Sequence, residues 1–112
     1  MIGHIQGEVL FSDGSELILL TASGIGYQVY YHGVVPEGTR IAIYTGHVIR
    51  ESSQELFGFR TLKEKKLFEL LNTVKGIGPK SAFALLSSLA PNDICQAISL
   101  DQKKVLSSAP GI

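Results

Sequence analysis

Two glycines separated by one residue, Gly76 and Gly78, are the part of this sequence best suited to bind an anion. Glycine permits tight backbone conformations that a Cβ disfavours, and it lets a ligand approach the main chain closely. Pro79 follows at a position typical of the first turn of a helix, where unpaired N–H groups and the helix dipole attract negative charge. Lys75 and Lys80 flank this turn. An exposed, convex site of this kind suits a nucleic-acid phosphate, which is the ligand we predict.

Residues 71–86 predict a helix-hairpin-helix around the two glycines. Leu71 and Val74 lie three residues apart on the first helix, and apolar residues recur at helical spacing on the second, at Ala82, Leu85 and Leu86. Ile77 is expected to fill the space between the helices. In many unrelated proteins this module binds one DNA strand through its phosphates, so the predicted DNA contacts are Lys75, Gly76, Ile77, Gly78 and Lys80. The alternative is a turn that only packs helices or binds another protein.

The composition is that of a globular protein that is neither membrane-spanning nor secreted. The 112 residues are 45% hydrophobic, and no apolar run approaches the roughly 20 residues that cross a bilayer. The N-terminal residues lack the basic and apolar regions of a secretory signal. The only cysteine, Cys95, excludes an internal disulfide, and the three histidines are not at metal-ligand spacing. We therefore predict a cytoplasmic protein that binds no metal and no other cofactor.

The charges are segregated along the chain although the formal net charge is zero. Residues 1–60 carry three arginines and six acidic residues, a balance of −3. Residues 61–112 carry seven lysines and four acidic residues, a balance of +3. This asymmetry is compatible with a basic half that binds nucleic acid and an acidic half that has another role.

Residues 1–60 predict an all-β domain. Alternating apolar residues and glycine turns predict five strands, over residues 2–11, 16–21, 25–31, 40–50 and 54–59. Five short strands in this length favour a small Greek-key barrel of the OB-fold type. Tyr27, Tyr30 and Tyr31 could stack on the bases of a single strand. Tyr27 and Tyr31 share the alternation of Val29, however, which is more typical of core residues.

Residues 61–112 predict an all-α domain, so the chain as a whole is a multi-domain, all-β plus all-α protein. Thr61 and Glu64 form a capping box that starts the first helix. Its buried stripe is expected to consist of Leu67, Phe68, Leu70 and Leu71. The final residues, Pro110-Gly111-Ile112, match the first half of a second hairpin. We therefore expect the chain to be truncated, and we add Gly111 to the predicted DNA contacts.

The turn between the last two predicted strands is the part of the barrel best placed to act on DNA. Residues 50–55 form a polar hairpin tip with a carboxylate at or near its apex. Such a charge is usually only part of a solvated turn. Beside bound phosphates, however, a fixed negative charge would repel a DNA backbone.

The order of these parts resembles that of the RuvA family, whose members bind Holliday junctions in the bacterial branch-migration complex. The resemblance covers the whole chain and rests on the following residues: Met1-Ile2-Gly3, Gly24-Ile25-Gly26-Tyr27, Arg50-Glu51, Leu56-Phe57-Gly58-Phe59, Gly76-Ile77-Gly78-Pro79-Lys80 and Pro110-Gly111-Ile112. It implies an OB-fold barrel over residues 1–60, a helix-hairpin-helix domain over residues 61–112 whose second hairpin is cut off, and a third domain that is absent here.

The resemblance implies a DNA-binding protein that recognises four-way junctions without reading sequence and supports branch migration in recombination, DNA repair and the SOS response. The implied partners are other copies of the chain in a homotetramer, the RuvB ATPase, which would bind the absent C-terminal domain, and the RuvC resolvase. No catalytic residue is implied for this chain, because the motor activity belongs to RuvB. With its second hairpin broken, the chain is expected to bind junctions with reduced affinity.

The resemblance also implies roles for single residues. It assigns phosphate contacts in the first hairpin to Gly76, Gly78 and Lys80. It assigns Glu51 to an acidic pin that separates strands at the junction centre, and it places Arg50 beside a phosphate there. Ser52 departs from the family, in which many members carry a second acidic residue at this position. Glu55 is the nearby carboxylate that could contribute to the pin instead.

An enzyme is the second alternative. In DNA glycosylases a hairpin of this type carries a catalytic lysine, and Lys80 lies at a similar place. Those enzymes also need an aspartate about one helix further on, where this chain has Ile98 and, less suitably placed, Asp101. They also lack a leading barrel. We therefore predict that this chain has no catalytic residues of its own.

Overall fold

A computed structural model describes residues 1–88 of the chain. The chain divides into two compact units, Met1–Leu62 and Lys63–Ile112. The predicted second hairpin with Gly111 lies outside the described residues, as does Cys95. Within residues 1–88, no helix has the length and apolarity that crossing a membrane requires.

Five strands form a closed barrel in the first unit. In chain order they are β1 (His4–Ser12), β2 (Gly14–Leu20), β3 (Gly26–Gly33), β4 (Arg40–Ile49) and β5 (Gln54–Phe59). The strands are neighbours in the order β1-β2-β3-β5-β4, and β4 pairs with β1 to close the barrel. The β3–β5 pair is parallel and the other pairs are antiparallel. This topology confirms the predicted five-stranded barrel of the OB-fold type.

Alternate residues of the strands fill the interior of the barrel. The buried cluster consists of residues that are at most 5% exposed: Ile5, Val9, Leu17, Leu19, Val29, Tyr31 and Ile43. Tyr27 packs against this cluster, so the alternation around Val29 correctly identified core residues. Tyr30 points to the other face of β3, where its ring stacks on Phe57 with the centroids 5.0 Å apart.

The strand bounds follow the predicted ranges closely, and the two largest differences in where a strand begins are of two residues. β2 begins at Gly14 rather than at residue 16, because the turn before it is tighter than expected. Oδ1 of Asp13 accepts hydrogen bonds from the amides of Ser15 at 2.9 Å and Glu16 at 2.8 Å. These bonds lower the pKa of the Asp13 carboxyl, and the bond from Ser15 has the larger effect. β1 begins at His4 rather than at residue 2, since both backbone groups of Ile2 bond to side chains of β4.

Two helices follow the barrel, α1 (Leu62–Leu71) and α2 (Pro79–Ser88). α1 begins directly after Thr61, and α2 begins at Pro79, as the sequence predicted. The buried residues of α1 are Leu67, Phe68 and Leu71. The prediction that Leu70 belongs to this stripe is wrong, because Leu70 lies on another side of the helix and is 44% exposed. The prediction that Val74 lies on the first helix is also wrong, because α1 ends at Leu71.

Gly58 occupies a place in the barrel where no side chain fits. A Cβ at this position would lie 2.9 Å from Cδ1 of Ile43, 2.9 Å from Cγ1 of Val29 and 3.1 Å from Cδ1 of Tyr31. Those three side chains belong to the buried cluster. The glycine in the Leu56-Phe57-Gly58-Phe59 motif is therefore required by packing.

We expect Gly58→Ala to lower the free energy of unfolding by about 1–3 kcal/mol, because an added methyl group overpacks the core. Urea denaturation would measure the change. Gly26→Ala is the matched control: a Cβ there would lie 3.4 Å from Cγ2 of Ile18. An equal loss in both variants would contradict this account of Gly58.

Candidate nucleic-acid interface

The chain leaves α1 through a series of tightening turns. The Asn72 amide donates to the Phe68 carbonyl at 3.1 Å, which continues the helical pattern. The Val74 amide then donates to the Leu71 carbonyl at 3.0 Å, a shorter spacing that ends the helix. The Ile77 amide in turn donates to the Val74 carbonyl at 3.1 Å. These bonds form a compact hairpin between α1 and α2.

Gly76 and Gly78 lie on the solvent side of this hairpin. Both are exposed, and a Cβ built on either would have no heavy atom within 4 Å. Gly76 has a φ of 89°, in the left-handed region that favours glycine. Gly78 has no such φ, and its carbonyl accepts the first hydrogen bond of α2, from the Ala82 amide at 2.9 Å. Among the described residues, the amides of Gly76 and Gly78 have no backbone acceptor.

Ile77 is buried, whereas the glycines on either side of it are exposed. Its side chain is only 8% exposed, and its amide is already bonded to Val74. Ile77 therefore holds the hairpin against the helices and has no free donor of its own. This separation of roles leaves the exposed backbone of the two glycines as the part of the turn that a ligand could reach.

The charge around the hairpin is positive. Lys75 and Lys80 are both exposed, and the first turn of α2 contains no acidic residue. The positive end of the α2 dipole is therefore not offset by a carboxylate on the helix itself. A dipole end, two open amides and two exposed lysines within six residues can bind an oxyanion such as a phosphate.

The acidic tip predicted from residues 50–55 is a four-residue loop between β4 and β5. Ile49 and Gln54 form the last pair of the ladder, and the Arg50 amide donates to the Ser53 carbonyl at 2.8 Å to close the loop. Glu51 lies in the loop and is exposed, as is Arg50. The loop thus carries one carboxylate and one guanidinium on adjacent, exposed residues.

Glu55 lies in β5 rather than in the loop. It accepts a hydrogen bond from the hydroxyl of Tyr30, which lies on the neighbouring strand β3. Burial raises the pKa of Tyr30, and the carboxylates of Glu55 and Glu16 raise it further. On β2, Glu16 accepts a hydrogen bond from Nε2 of Gln28 at 2.7 Å. These side chains line a cavity of about 190 Å³ together with Gln54 and Leu56.

Sequence reasoning missed this polar cluster. Tyr30 and Glu55 meet because β3 and β5 are neighbours in the barrel, with Tyr30 opposite Phe57 in the parallel pair. Such a pairing between strands far apart in sequence leaves no local signal. The predicted strand over residues 54–59 already contained Glu55, but a strand prediction does not reveal which other strand lies beside it.

We expect the two hairpin glycines to respond differently to alanine. Gly76→Ala should lower the free energy of unfolding by about 1–2 kcal/mol, because alanine resists a left-handed φ. Gly78→Ala should change it by less than about 0.5 kcal/mol, because the position has open space and an ordinary φ. Urea denaturation of both variants would test this. Equal destabilisation would show that the two positions do not have the described backbone conformations.

Two protein families match this chain. The family described as the RuvA N terminal domain matches residues 1–58, which contain nearly all of the barrel. The family described as a SAM-like helix-hairpin-helix tandem matches residues 68–112, which include the glycine hairpin and α2.

Curated relatives match the chain over its whole length. A protein of Shouchella clausii named Holliday junction branch migration complex subunit RuvA is 40% identical over 116 residues, covering 100% of this chain and 58% of the relative. Proteins of the same name from Ruminiclostridium cellulolyticum and Rickettsia felis are 36% and 37% identical, each over 100% of this chain. The matches cover 58% and 57% of those two relatives. This chain therefore spans somewhat less than three-fifths of the length of these relatives.

Proposed function

This chain belongs to the RuvA family, and we propose that it binds four-way (Holliday) junction DNA and supports branch migration in recombination and repair. The observation that carries this proposal is the exposed backbone at Gly76 and Gly78, whose amides have no backbone acceptor among the described residues and where a Cβ would meet open space. Exposed amides at a helix N-terminus bind anions, and DNA offers phosphates at regular spacing. A turn used only for packing needs no such opening to solvent.

Phosphate is the anion that the surrounding charge favours. Lys75 and Lys80 flank the amides, and the seven lysines of residues 61–112 give that half of the chain its positive balance. Backbone amides and lysines contact the phosphates of DNA of any sequence, so binding does not depend on the bases. We extend the proposed DNA contacts to Arg50 in the acidic tip and to Gly111 in the second hairpin.

Selectivity for a four-way junction would come from repetition of one weak site. We propose that the chain acts as a homotetramer whose hairpins engage the four arms together. Binding at one arm raises the effective concentration of the other sites, so modest contacts add up on a four-armed ligand and not on a linear one. We propose residues 1–60 and 61–112 as the barrel and hairpin domains of each subunit.

We propose Glu51 as the main residue of an acidic pin at the centre of the tetramer. The loop that carries it is short and exposed, and four copies would present four carboxylates to the crossing strands. Repulsion between two unit charges 4 Å apart in water is about 1 kcal/mol, enough to bias the opening of a base pair at the crossover. Glu55 instead has a hydrogen bond with Tyr30, so its part in the pin is secondary.

We infer that the chain acts without catalytic residues of its own, as the DNA-binding subunit of a larger assembly. A separate RuvB ATPase would supply the motor activity, and the RuvC resolvase would act on the same junction. We propose the cytoplasm, where DNA is accessible to all three proteins, as the compartment in which this division of roles operates.

We expect Gly78→Ala to weaken binding to a four-way junction by about tenfold or more, because the methyl group displaces a charge-assisted hydrogen bond to phosphate. Lys80→Gln should reduce the slope of log affinity against log salt by about 1 for each engaged subunit, and so by about 4 for a tetramer on four arms, because each subunit loses one ion pair with a phosphate. Fluorescence anisotropy across a salt series, with a junction and a linear duplex of the same arms, would measure both effects.

Gly26→Ala is the control for this experiment, because it adds the same methyl group in the barrel unit. Tight and equal binding of junction and duplex by the unmodified chain would count against junction recognition. Unchanged DNA affinity in Gly78→Ala, with the fold intact, would favour the alternative that the hairpin only packs helices or binds protein.

We expect Glu51→Gln to reduce strand opening at the crossover by about two- to fivefold, as the loss of about 1 kcal/mol of repulsion predicts. The measurement is the fluorescence of 2-aminopurine placed next to the crossover of a bound junction. Ser52→Ala is the matched control in the same loop, and it should have no effect. A larger reduction in Glu55→Gln than in Glu51→Gln would contradict the assignment of the pin to Glu51.

A further inference from the structure

Three hydrogen bonds join the residues before β1 to β4, and a fourth joins β4 to the first residue of β5. The Thr45 amide donates to the Gly3 carbonyl at 2.9 Å, and the Thr45 hydroxyl donates to the Ile2 carbonyl at 2.6 Å. The Ile2 amide donates to Nδ1 of His47 at 3.1 Å, and Nε2 of His47 lies 3.0 Å from Oε1 of Gln54. The imidazole of His47 therefore bridges the N-terminal segment and β5.

The two contacts of the imidazole determine where its proton lies. Because Nδ1 accepts the Ile2 N–H, Nδ1 carries no proton. The neutral ring therefore carries its proton on Nε2 and donates it to the side-chain carbonyl of Gln54. With both nitrogens bonded to different segments, rotation of the ring would break two hydrogen bonds at once. The ring thus restrains Gln54 relative to β4.

Gln54 lies at the base of the acidic tip, so restraining its side chain also restrains the loop. It pairs with Ile49 in the last rung of the β4–β5 ladder, and only the loop residues 50–53 lie beyond that rung. The hydrogen bond from the Arg50 amide to the Ser53 carbonyl closes the loop directly above it. Fixing the side chain of Gln54 therefore opposes opening of the Ile49–Gln54 pair that precedes the loop with Glu51.

We propose that His47 is a positioning residue for the acidic tip. Its bridge from Ile2 to Gln54 fixes the base of the hairpin so that Glu51 keeps one position. This proposal rests on the proposed role of Glu51, because the field of a carboxylate on a phosphate depends on a defined distance. In a frayed hairpin the Glu51 carboxylate would occupy many positions, and its repulsion of phosphates at the crossover would be weaker.

The surroundings of His47 explain why the bridge is placed there. Thr45 is fully buried, His47 is half-buried and Arg50 is exposed, so β4 passes from the core to solvent along this stretch. The hydrogen bonds of Thr45 hold the partly buried Ile2 against the core. The N-terminal segment is therefore a firm support from which His47 can reach the more exposed β5 side.

Two substitutions separate the hydrogen bonds of His47 from its volume. His47→Leu fills similar space but neither donates nor accepts a hydrogen bond. His47→Gln keeps one amide donor and one carbonyl acceptor, so it can still bridge Ile2 and Gln54. Each variant would be made with Glu51 and with Glu51→Gln, so that the effect of the carboxylate can be compared in each background.

The first measurement needs no DNA. Hydrogen exchange of the Arg50 and Ile2 amides would be followed by NMR, together with the nitrogen chemical shifts of the His47 ring. We expect a ring protonated at Nε2, and about fivefold faster exchange of both amides in His47→Leu, as the loss of one hydrogen bond predicts. His47→Gln should restore slow exchange. Unchanged Arg50 exchange in His47→Leu, or a ring protonated at Nδ1, would overturn the proposal.

The second measurement is the 2-aminopurine signal of a bound junction. The measured quantity is the 2-aminopurine fluorescence with the Glu51 protein divided by that with the Glu51→Gln protein. This ratio should fall toward 1 when both proteins also carry His47→Leu, and it should keep its original value when both carry His47→Gln. An equal ratio in all backgrounds would overturn the positioning role. A ratio of 1 already in the unmodified chain would refute the proposed pin and with it this role of His47, whereas the exchange data would still decide whether the bridge restrains the loop.

Discussion

The buried side chain of Ile77 is the contact on which the proposed DNA-binding hairpin depends. A hairpin of this length has few backbone groups, and the Ile77 amide is bonded to Val74. Ile77 is buried, whereas the glycines on either side of it are exposed. The apolar residue thus holds the turn so that the glycine backbone lies at the surface, although it has no donor to offer. The left-handed φ of Gly76 allows this reversal of direction within three residues.

The barrel applies a similar constraint to the acidic tip. Its interior is filled to the point where Gly58 has no room for a methyl group, and its strands are closed into a ring. The direction of the β4–β5 hairpin is therefore set by the hydrogen-bonded ladder between these two strands. The tip therefore does not need contacts of its own to be oriented, apart from those that stop its last rung from opening. A rigid support is what allows one exposed charge to have a defined place.

The sequence predicted the features that depend on local patterns. The alternation around Val29 identified the core of β3, the glycine turns marked the strand ends, and Pro79 marked the start of α2. Features that depend on pairing between distant segments were missed. The Tyr30–Glu55 hydrogen bond requires the β3–β5 neighbourhood, and the His47 bridge requires the Ile2 segment to lie beside β4. Leu70 was misplaced because a leucine on the exposed side of a short helix looks the same in sequence as one on the buried side.

The closure of the five described strands also limits how copies of this chain can meet. An open sheet offers a row of unbonded backbone groups at its edge, to which any extended segment can add as a further strand. Here the partner that would fill that edge is already the first strand of the same barrel. A contact between copies at the β1–β4 edge therefore has to use side-chain surfaces, which discriminate between partners more finely than a polypeptide backbone. The same pairing of β4 with β1 removes a template on which copies of the chain could stack as fibrils.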